Sequence, residues 1–162
     1  MQMSEEARNL PRALKGDKKL QGNWGEMILT KILESSGLRA GEEFVVQAKA
    51  LKLKSHDGRR LQPDVIVCLP DNKHLIVDSK VSLVAYERYV HAESENQREN
   101  HLKKHLEAVQ THINQLSEKR YDDLEGVNSP EFVLLFMPVE PAFNLALQAR
   151  KDLFAYAWDR KI

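Results

Sequence analysis

The sequence predicts an α/β protein with a mixed sheet, and the order of its periodic segments is the main reason. A helical segment comes first, then short β-branched runs separated by turn residues, then helices, an apolar run and a last helix. This order of elements is typical of the α/β class. The apolar run, Phe-Val-Leu-Leu-Phe within residues 131–137, is continuous, so we expect a strand buried on both faces at the centre of the sheet.

The individual elements follow from residue spacing and turn signals. Apolar residues near 3.6-residue spacing predict a helix over 23–36, and Gly37 is well placed to end it. An Asp57-Gly58 hairpin turn and a turn over 70–73 separate the predicted strands. The predicted strands are 44–46, 49–54, 64–69 and 74–79, and the later helices are 83–90, 97–119 and 141–150. The aromatic residues expected in the core are Trp24, Phe44, Phe132, Phe136 and Trp158.

Length and composition predict one globular core domain. The 162 residues can bury a core, and 42% apolar with 30% charged residues is ordinary for soluble proteins. Basic and acidic residues balance at 24 each, so net charge gives no argument for nucleic acid or membrane. The single cysteine, Cys68, excludes a disulfide framework and suits a reducing cytoplasm. No run of about 18 apolar residues occurs, so we expect no membrane segment in this chain. We divide it into a basic helical extension, 1–21, and a core domain, 22–162.

Two acids and a lysine at the ends of neighbouring predicted strands form the most informative motif. Asp64 begins one β-branched run, Asp78 ends the next, and Lys80 follows two residues later. A hairpin would bring both acids to one end of two strands, with Asp78 and Lys80 on one face. Direct pairing of the acids centres the hairpin on residue 71, which requires an odd-length loop or a bulge. Two carboxylates beside a lysine can hold a hard divalent cation, a phosphate and a water.

The same residues have an ordinary structural interpretation. Asp-x-Lys triplets are common, and a surface Asp–Lys contact contributes at most about 1 kcal/mol. Pro63 also fits the first position of any strand. On these residues alone, polar strand ends at solvent are the more frequent explanation.

Glu26 is a third acid, early in the first predicted helix. It could face the strand acids and serve a second metal ion or a bridging water. Alternatively, Asn23 as N-cap with Glu26 three residues later forms a capping box, and the helix dipole favours an acid there.

Two groups of basic side chains could contact a polyanionic backbone. The first is a basic hairpin before Pro63, formed by Lys49, Lys52, Lys54, His56, Arg59 and Arg60. Its affinity would be sensitive to salt, although exposed lysines also protect an edge strand. The second is a helix face with His101, His105 and His112, which with Lys104 could contact phosphate or form a solvated polar face.

Several separated blocks resemble the RmuC family of DNA recombination proteins. These are GNWGE (22–26), PDV (63–65), VDSK (77–80), HINQL (112–116), KRY (119–121) and FMPVE (136–140). The resemblance covers roughly residues 15–162. Because the blocks occur in one order, it is far more specific than Asp-x-Lys alone.

The resemblance implies a fold and a site. The fold is the restriction-endonuclease-like αβββαβ core of the PD-(D/E)XK superfamily, with a mixed central sheet flanked by helices. The implied catalytic residues are Glu26, Asp64, Asp78 and Lys80. Mg²⁺, or Mn²⁺, would be held by Asp64, Asp78 and the backbone carbonyl of Ser79, with Glu26 as a further metal ligand.

The implied function is a metal-dependent DNA endonuclease acting in recombination on branched or hairpin DNA. A non-catalytic DNA-structure-binding module is the alternative, and a structural domain joined to a coiled coil is a third hypothesis. The expected DNA contacts are Lys49, Lys52, Lys54, Arg59, Arg60, His105 and His112. Family members typically carry an N-terminal membrane segment and a coiled coil, which would tether the full-length protein to the inner membrane. The N-terminal helix could join copies into a homo-oligomer, and we expect the core to continue beyond residue 162.

Overall fold

The computed structural model describes residues 18–46, 63–80, 83–121, 127 and 133–162. Within these ranges the chain forms five helices and four strands, so the predicted α/β class is confirmed. The elements are α1 Lys18–Ser35, β1 Phe44–Val46, β2 Val65–Leu69, β3 Lys73–Ser79, α2 Val84–Val90, α3 Glu95–Glu118, β4 Leu134–Phe136, α4 Glu140–Ala149 and α5 Leu153–Asp159. Among these helices, none is long and apolar enough to cross a membrane.

The four strands form one mixed sheet in the order β1-β2-β3-β4. The first three strands are antiparallel, and β4 runs parallel to β3. In the described sheet β4 therefore lies at the end of the strand order, and Leu134 is 40% exposed. Within the part of the sheet that the structure describes, the prediction of a central strand buried on both faces is therefore wrong. The run is apolar because Leu135 packs against one core cluster and Phe136 against another, although the strand has a single described neighbour.

Helices cover both faces of this sheet. Leu29 of α1 belongs to one core cluster with Val65 and Val77. Leu116 of α3 belongs to another with Ile66 and Ile76. Since side chains alternate along a strand, even-numbered positions of β2 and β3 face α3 and odd-numbered positions face α1. Asp78 therefore belongs to the α3 side of the sheet.

The first helix begins earlier than its apolar spacing predicted. It is already formed at Lys18, so Asn23 lies inside it and the capping-box interpretation is wrong. The proposed division after residue 21 falls within this helix. Met27 and Ile32, two of the apolar residues whose spacing predicted the helix over 23–36, are 46% and 47% exposed. Gly37, at φ 91°, ends the helix as predicted, because a left-handed residue suits glycine.

The C-terminal helices pack beside the sheet through α3. Val109 and Ile113 of α3 share a cluster with Ala146 of α4 and Leu153 of α5. The helix α5 was not predicted from sequence. Trp158 on α5 is 69% exposed, so its assignment to the core is wrong.

Several predictions lie outside the described residues. These are the strand at 49–54, the Asp57-Gly58 turn, Phe132, residues 1–17 of the basic extension, and the basic hairpin, meaning Lys49, Lys52, Lys54, His56, Arg59 and Arg60.

Candidate functional site

Asp64 and Asp78 lie opposite each other at one end of the β2–β3 hairpin. Val65 pairs with Val77 in the antiparallel register, and continuing that register by one residue joins positions 64 and 78. Both acids therefore reach the same edge of the sheet, as the sequence predicted.

A three-residue loop sets this register. Pro70–Asn72 connects the two strands, and Asp71 adopts the left-handed region at φ 62°. The loop is odd in length, which is the condition for Asp64 to meet Asp78 rather than point to the opposite face. Asp64 then accepts a 2.8 Å hydrogen bond from the backbone N–H of Ser79 through Oδ2. That bond fixes the Asp64 carboxylate at the end of the neighbouring strand.

Asp78 is a buried carboxyl, and neighbouring positive charges offset the cost of its burial only in part. Its side chain is 3% exposed, and among the described residues nothing hydrogen-bonds to Oδ2. Burial raises the pKa of Asp78 to about 7, and a hydrogen bond and negative charge from Asp64 add to the shift. The positive charges of Lys119 and Lys80 oppose it. Asp78 and Asp64 therefore form a close acid pair that a cation would stabilise.

Two lysines from different elements approach the same oxygen. Lys80 Nζ and Lys119 Nζ each lie 4.0 Å from Asp78 Oδ2. Lys80 follows β3 directly, whereas Lys119 is the C-cap of α3. Lys119 was missed as a site residue. Its position three residues after the buried Leu116 could have indicated it, because residues three apart share a helix face.

Two further side chains of the α3 region respond to the site's charges. Burial raises the pKa of Tyr121, and the negative charges of Asp78 and Asp64 raise it further. Burial lowers the pKa of His112, and the positive charge of Lys80 lowers it further. The Tyr121 ring also lies under the Lys119 ammonium, with 5.5 Å between Nζ and the ring centroid. Tyr121 therefore lies near the acid pair, and His112 lies near Lys80, both on the α3 side of the sheet.

His105 has a structural position in the core. It is fully buried, and its Nε2 lies 2.8 Å from the carbonyl oxygen of Ala142. Its ring contacts Tyr86 with 5.9 Å between centroids. The predicted solvated face is wrong for His105, which is closed off from an external phosphate because α4 covers this part of α3. His101 and His112 are half-buried, and the buried Nδ1 of each finds no hydrogen-bond partner in the described part of the chain.

Glu26 lies on the other helix layer. It is half-buried beside a shallow groove along α1, whose lining includes Asn23 and Thr30. In the described chain, no three histidine, cysteine, aspartate or glutamate side chains lie close enough to hold one metal ion. Glu26 therefore does not complete a three-ligand set with Asp64 and Asp78, and its metal and catalytic roles stay predictions.

The acid pair nevertheless fits a magnesium ion. Mg²⁺ is usually bound by one or two carboxylates and keeps several waters. Asp78 Oδ2 offers a buried acceptor without a donor, beside the oriented carboxylate of Asp64. The pair does not fit a structural zinc ion, which requires four protein ligands.

Comparisons with known proteins identify relatives of this chain. It is similar to the "DNA recombination protein RmuC homolog" of Vibrio cholerae, with 50% identity over 161 residues, which cover 99% of this chain and 31% of the relative. It is also similar to the protein of the same name from Neisseria meningitidis serogroup A, with 51% identity over 164 residues, which cover 99% of this chain and 27% of the relative. It is also similar to "DNA recombination protein RmuC" of Escherichia coli K12 (48% over 161 residues, 99% and 33%). The chain thus spans between about a quarter and a third of the length of these relatives.

No solved structure matches the chain significantly. The sequence model of the RmuC family matches residues 1–162, and since this match covers the whole chain, the protein belongs to the RmuC family.

Proposed function

We propose that this chain is the phosphodiester-cleaving core of a DNA recombination protein, with a restriction-endonuclease-like fold. The names of its relatives support DNA recombination as the process. The order helix, three strands, helices, strand supports the fold. One observation carries the chemistry: the buried Asp78 carboxyl lies close to a second carboxyl and to two ammonium groups at the end of a hairpin.

Each residue of the site has a separate task in this proposal. Asp64 and Asp78, with the carbonyl of Ser79, would hold Mg²⁺ or Mn²⁺, which when bound lowers the pKa of a water and neutralises phosphate charge. The Ser79 N–H orients Asp64 before any ligand arrives. Lys80 lies beside Asp78 and is about one-third exposed, so its ammonium can donate to the attacking water or to a phosphate oxygen.

The proposed reaction is hydrolysis. The water oxygen forms a bond to phosphorus, the bond from phosphorus to the 3′ oxygen breaks, and that oxygen takes up a proton. The products are a 5′-phosphate and a 3′-hydroxyl.

A DNA-structure-binding module without turnover is a second candidate, and the charges of the site favour it. Two ammonium groups lie 4.0 Å from Asp78 Oδ2, so the formal charges of Lys80, Lys119, Asp64 and Asp78 sum to zero without a metal ion. This candidate predicts salt-dependent DNA binding that survives Asp78→Ala. Binding would weaken when Lys52, Lys54 and Arg59 are neutralised.

Cleavage of hairpin and branched DNA in Mg²⁺ or Mn²⁺ tests the first candidate. We expect cleavage by the wild-type chain, none in EDTA, and a loss of at least about 100-fold in Asp78→Asn. Asp71→Asn is the matched control, because it removes an exposed acid from the loop of the same hairpin.

The outcomes separate the candidates. Equal cleavage by Asp78→Asn and wild type would reject the site. Tight DNA binding by the wild type without cleavage in either metal would reject the hydrolase and favour the binding module.

A further inference from the structure

Lys119 joins the hairpin site from a separate part of the chain. It caps the C-terminus of α3, and its backbone N–H donates to the carbonyl of Gln115 at 3.3 Å. Arg120 follows in the left-handed region at φ 51°, so the chain turns immediately after it. The Tyr121 ring lies under its ammonium, which favours a cation at this position. Backbone and ring together therefore hold Lys119 at the end of the hairpin.

The Lys119 ammonium lies near Asp78 but does not form a hydrogen bond with it. Its 4.0 Å separation from Asp78 Oδ2 exceeds the 2.7–3.2 Å of an N–H···O hydrogen bond. The same distance separates Lys80 Nζ from that oxygen. The Lys119 side chain is 38% exposed, so its donors can reach a ligand from solvent.

Neither lysine forms a hydrogen bond with the acid beside it. Among the described residues nothing hydrogen-bonds to Asp78 Oδ2, and both ammonium groups stop at 4.0 Å from it. A lysine that served only as a counter-ion would be expected to close on the unpartnered Oδ2. The observed spacing instead leaves two partly exposed ammonium groups near one carboxylate oxygen, with donors that a second anion can accept from.

We propose that Lys119 is a phosphate-binding residue which, with Lys80, holds one phosphodiester oxygen of DNA at the end of the β2–β3 hairpin. The inference rests on the proposed DNA substrate but not on turnover. Lys80 and Lys119 come from the strand and helix layers, so the bound phosphate would bridge β3 and α3. Lys119 would thereby position the phosphate beside the acid pair.

The test uses Asp78→Asn as a background, in EDTA. This substitution removes the negative charge that a merely neutralising lysine would serve. We expect Lys119→Met in this background to weaken binding of a fluorescein-labelled hairpin DNA about tenfold at low salt. We also expect the slope of log Kobs against log salt to fall by about 1, since one phosphate contact is lost. Fluorescence anisotropy measures both quantities.

Two variants control for charge and for folding. Lys103→Met removes the same charge from an exposed position of α3 and should leave affinity and slope unchanged. Lys119→Arg keeps the charge and should retain most of the affinity. If the methionine variant melts early, Lys119→Gln repeats the measurement with a side chain that keeps a polar end.

Three results would overturn the inference. The first is equal DNA affinity and salt slope with and without Lys119→Met in the Asp78→Asn background. The second is an equal loss in Lys103→Met, and the third is no DNA affinity of Asp78→Asn at low salt. A wild-type chain that binds but never cleaves DNA would reject the hydrolase and leave the role of Lys119 intact.

Discussion

Asp78 couples the site to the stability of the protein through its charge. Its pKa rises from the ordinary 3.8 to about 7 on folding. The folded protein therefore holds a proton that the unfolded chain has lost between about pH 4 and pH 7. The contribution of this group to stability is fully present below the unfolded pKa and is lost as pH rises through the folded value.

The variant Asp78→Asn should remove this pH dependence. In EDTA at pH 8 we expect the variant to be more stable than wild type by roughly 2–4 kcal/mol, because asparagine does not place a negative charge in the buried position. Near pH 4 the two should be similar. Urea unfolding at both pH values measures the difference.

Comparing variant with wild type isolates Asp78 from other groups. The pKa values of His105 and His112 are lowered, so their contributions are lost as pH falls and oppose that of Asp78. Asp71→Asn is again the control. A pH-independent difference between Asp78→Asn and wild type would show that Asp78 ionises normally in the folded protein.

His105 should matter for folding rather than for DNA. Replacement by alanine removes a fully buried ring and leaves the Ala142 carbonyl without its 2.8 Å partner. We expect a loss of roughly 2–4 kcal/mol in the free energy of unfolding. Lys104→Ala changes an exposed neighbour on the same helix and should have little effect. Reduced DNA affinity of His105→Ala with unchanged stability would restore a phosphate-binding role.

The hairpin loop is the element that brings the two acids together. Asp71 has φ 62° and ψ 31°, a conformation that glycine adopts freely and a β-branched residue adopts poorly. We expect Asp71→Gly to change the free energy of unfolding by less than about 1 kcal/mol. Asp71→Val should cost about 1–2 kcal/mol through backbone strain. Thermal unfolding of both variants checks this, and equal stability would contradict the left-handed conformation.

The elements differ in how far sequence could predict them. The hairpin was predictable because turn residues and β-branched runs are local signals. The odd number of residues in its loop then decided that Asp64 and Asp78 share a face of the sheet. The position of β4 in the sheet was not predictable from sequence. Its apolar residues indicate packing against two core clusters, but they do not indicate how many strands lie beside it. The start of α1 was misplaced because Asn23 resembles an N-cap only when helical residues before it are ignored.

At the scale of the whole molecule, the site depends on contacts between layers that sequence does not encode locally. The Asp64, Asp78 and Lys80 set follows from one hairpin. Lys119, about forty residues after Asp78 in the chain, approaches the site because α3 packs against β2 and β3. The burial of His105 likewise depends on α4, which no helical periodicity of α3 could reveal.

Metal binding should stabilise the whole fold through this site, because an ion that binds only the folded protein shifts its unfolding equilibrium. At pH 8, Mn²⁺ at about 100 times its Kd should add about 2.7 kcal/mol relative to EDTA. Asp64→Asn and Asp78→Asn should each abolish this gain, whereas Asp71→Asn should retain it. Glu26→Gln should also retain it, because Glu26 forms no three-ligand group with the two acids in the described chain. Loss of the gain in Glu26→Gln would mean that α1 moves toward the acid pair when metal binds, and an equal Mn²⁺ gain in Asp78→Asn would place the ion elsewhere.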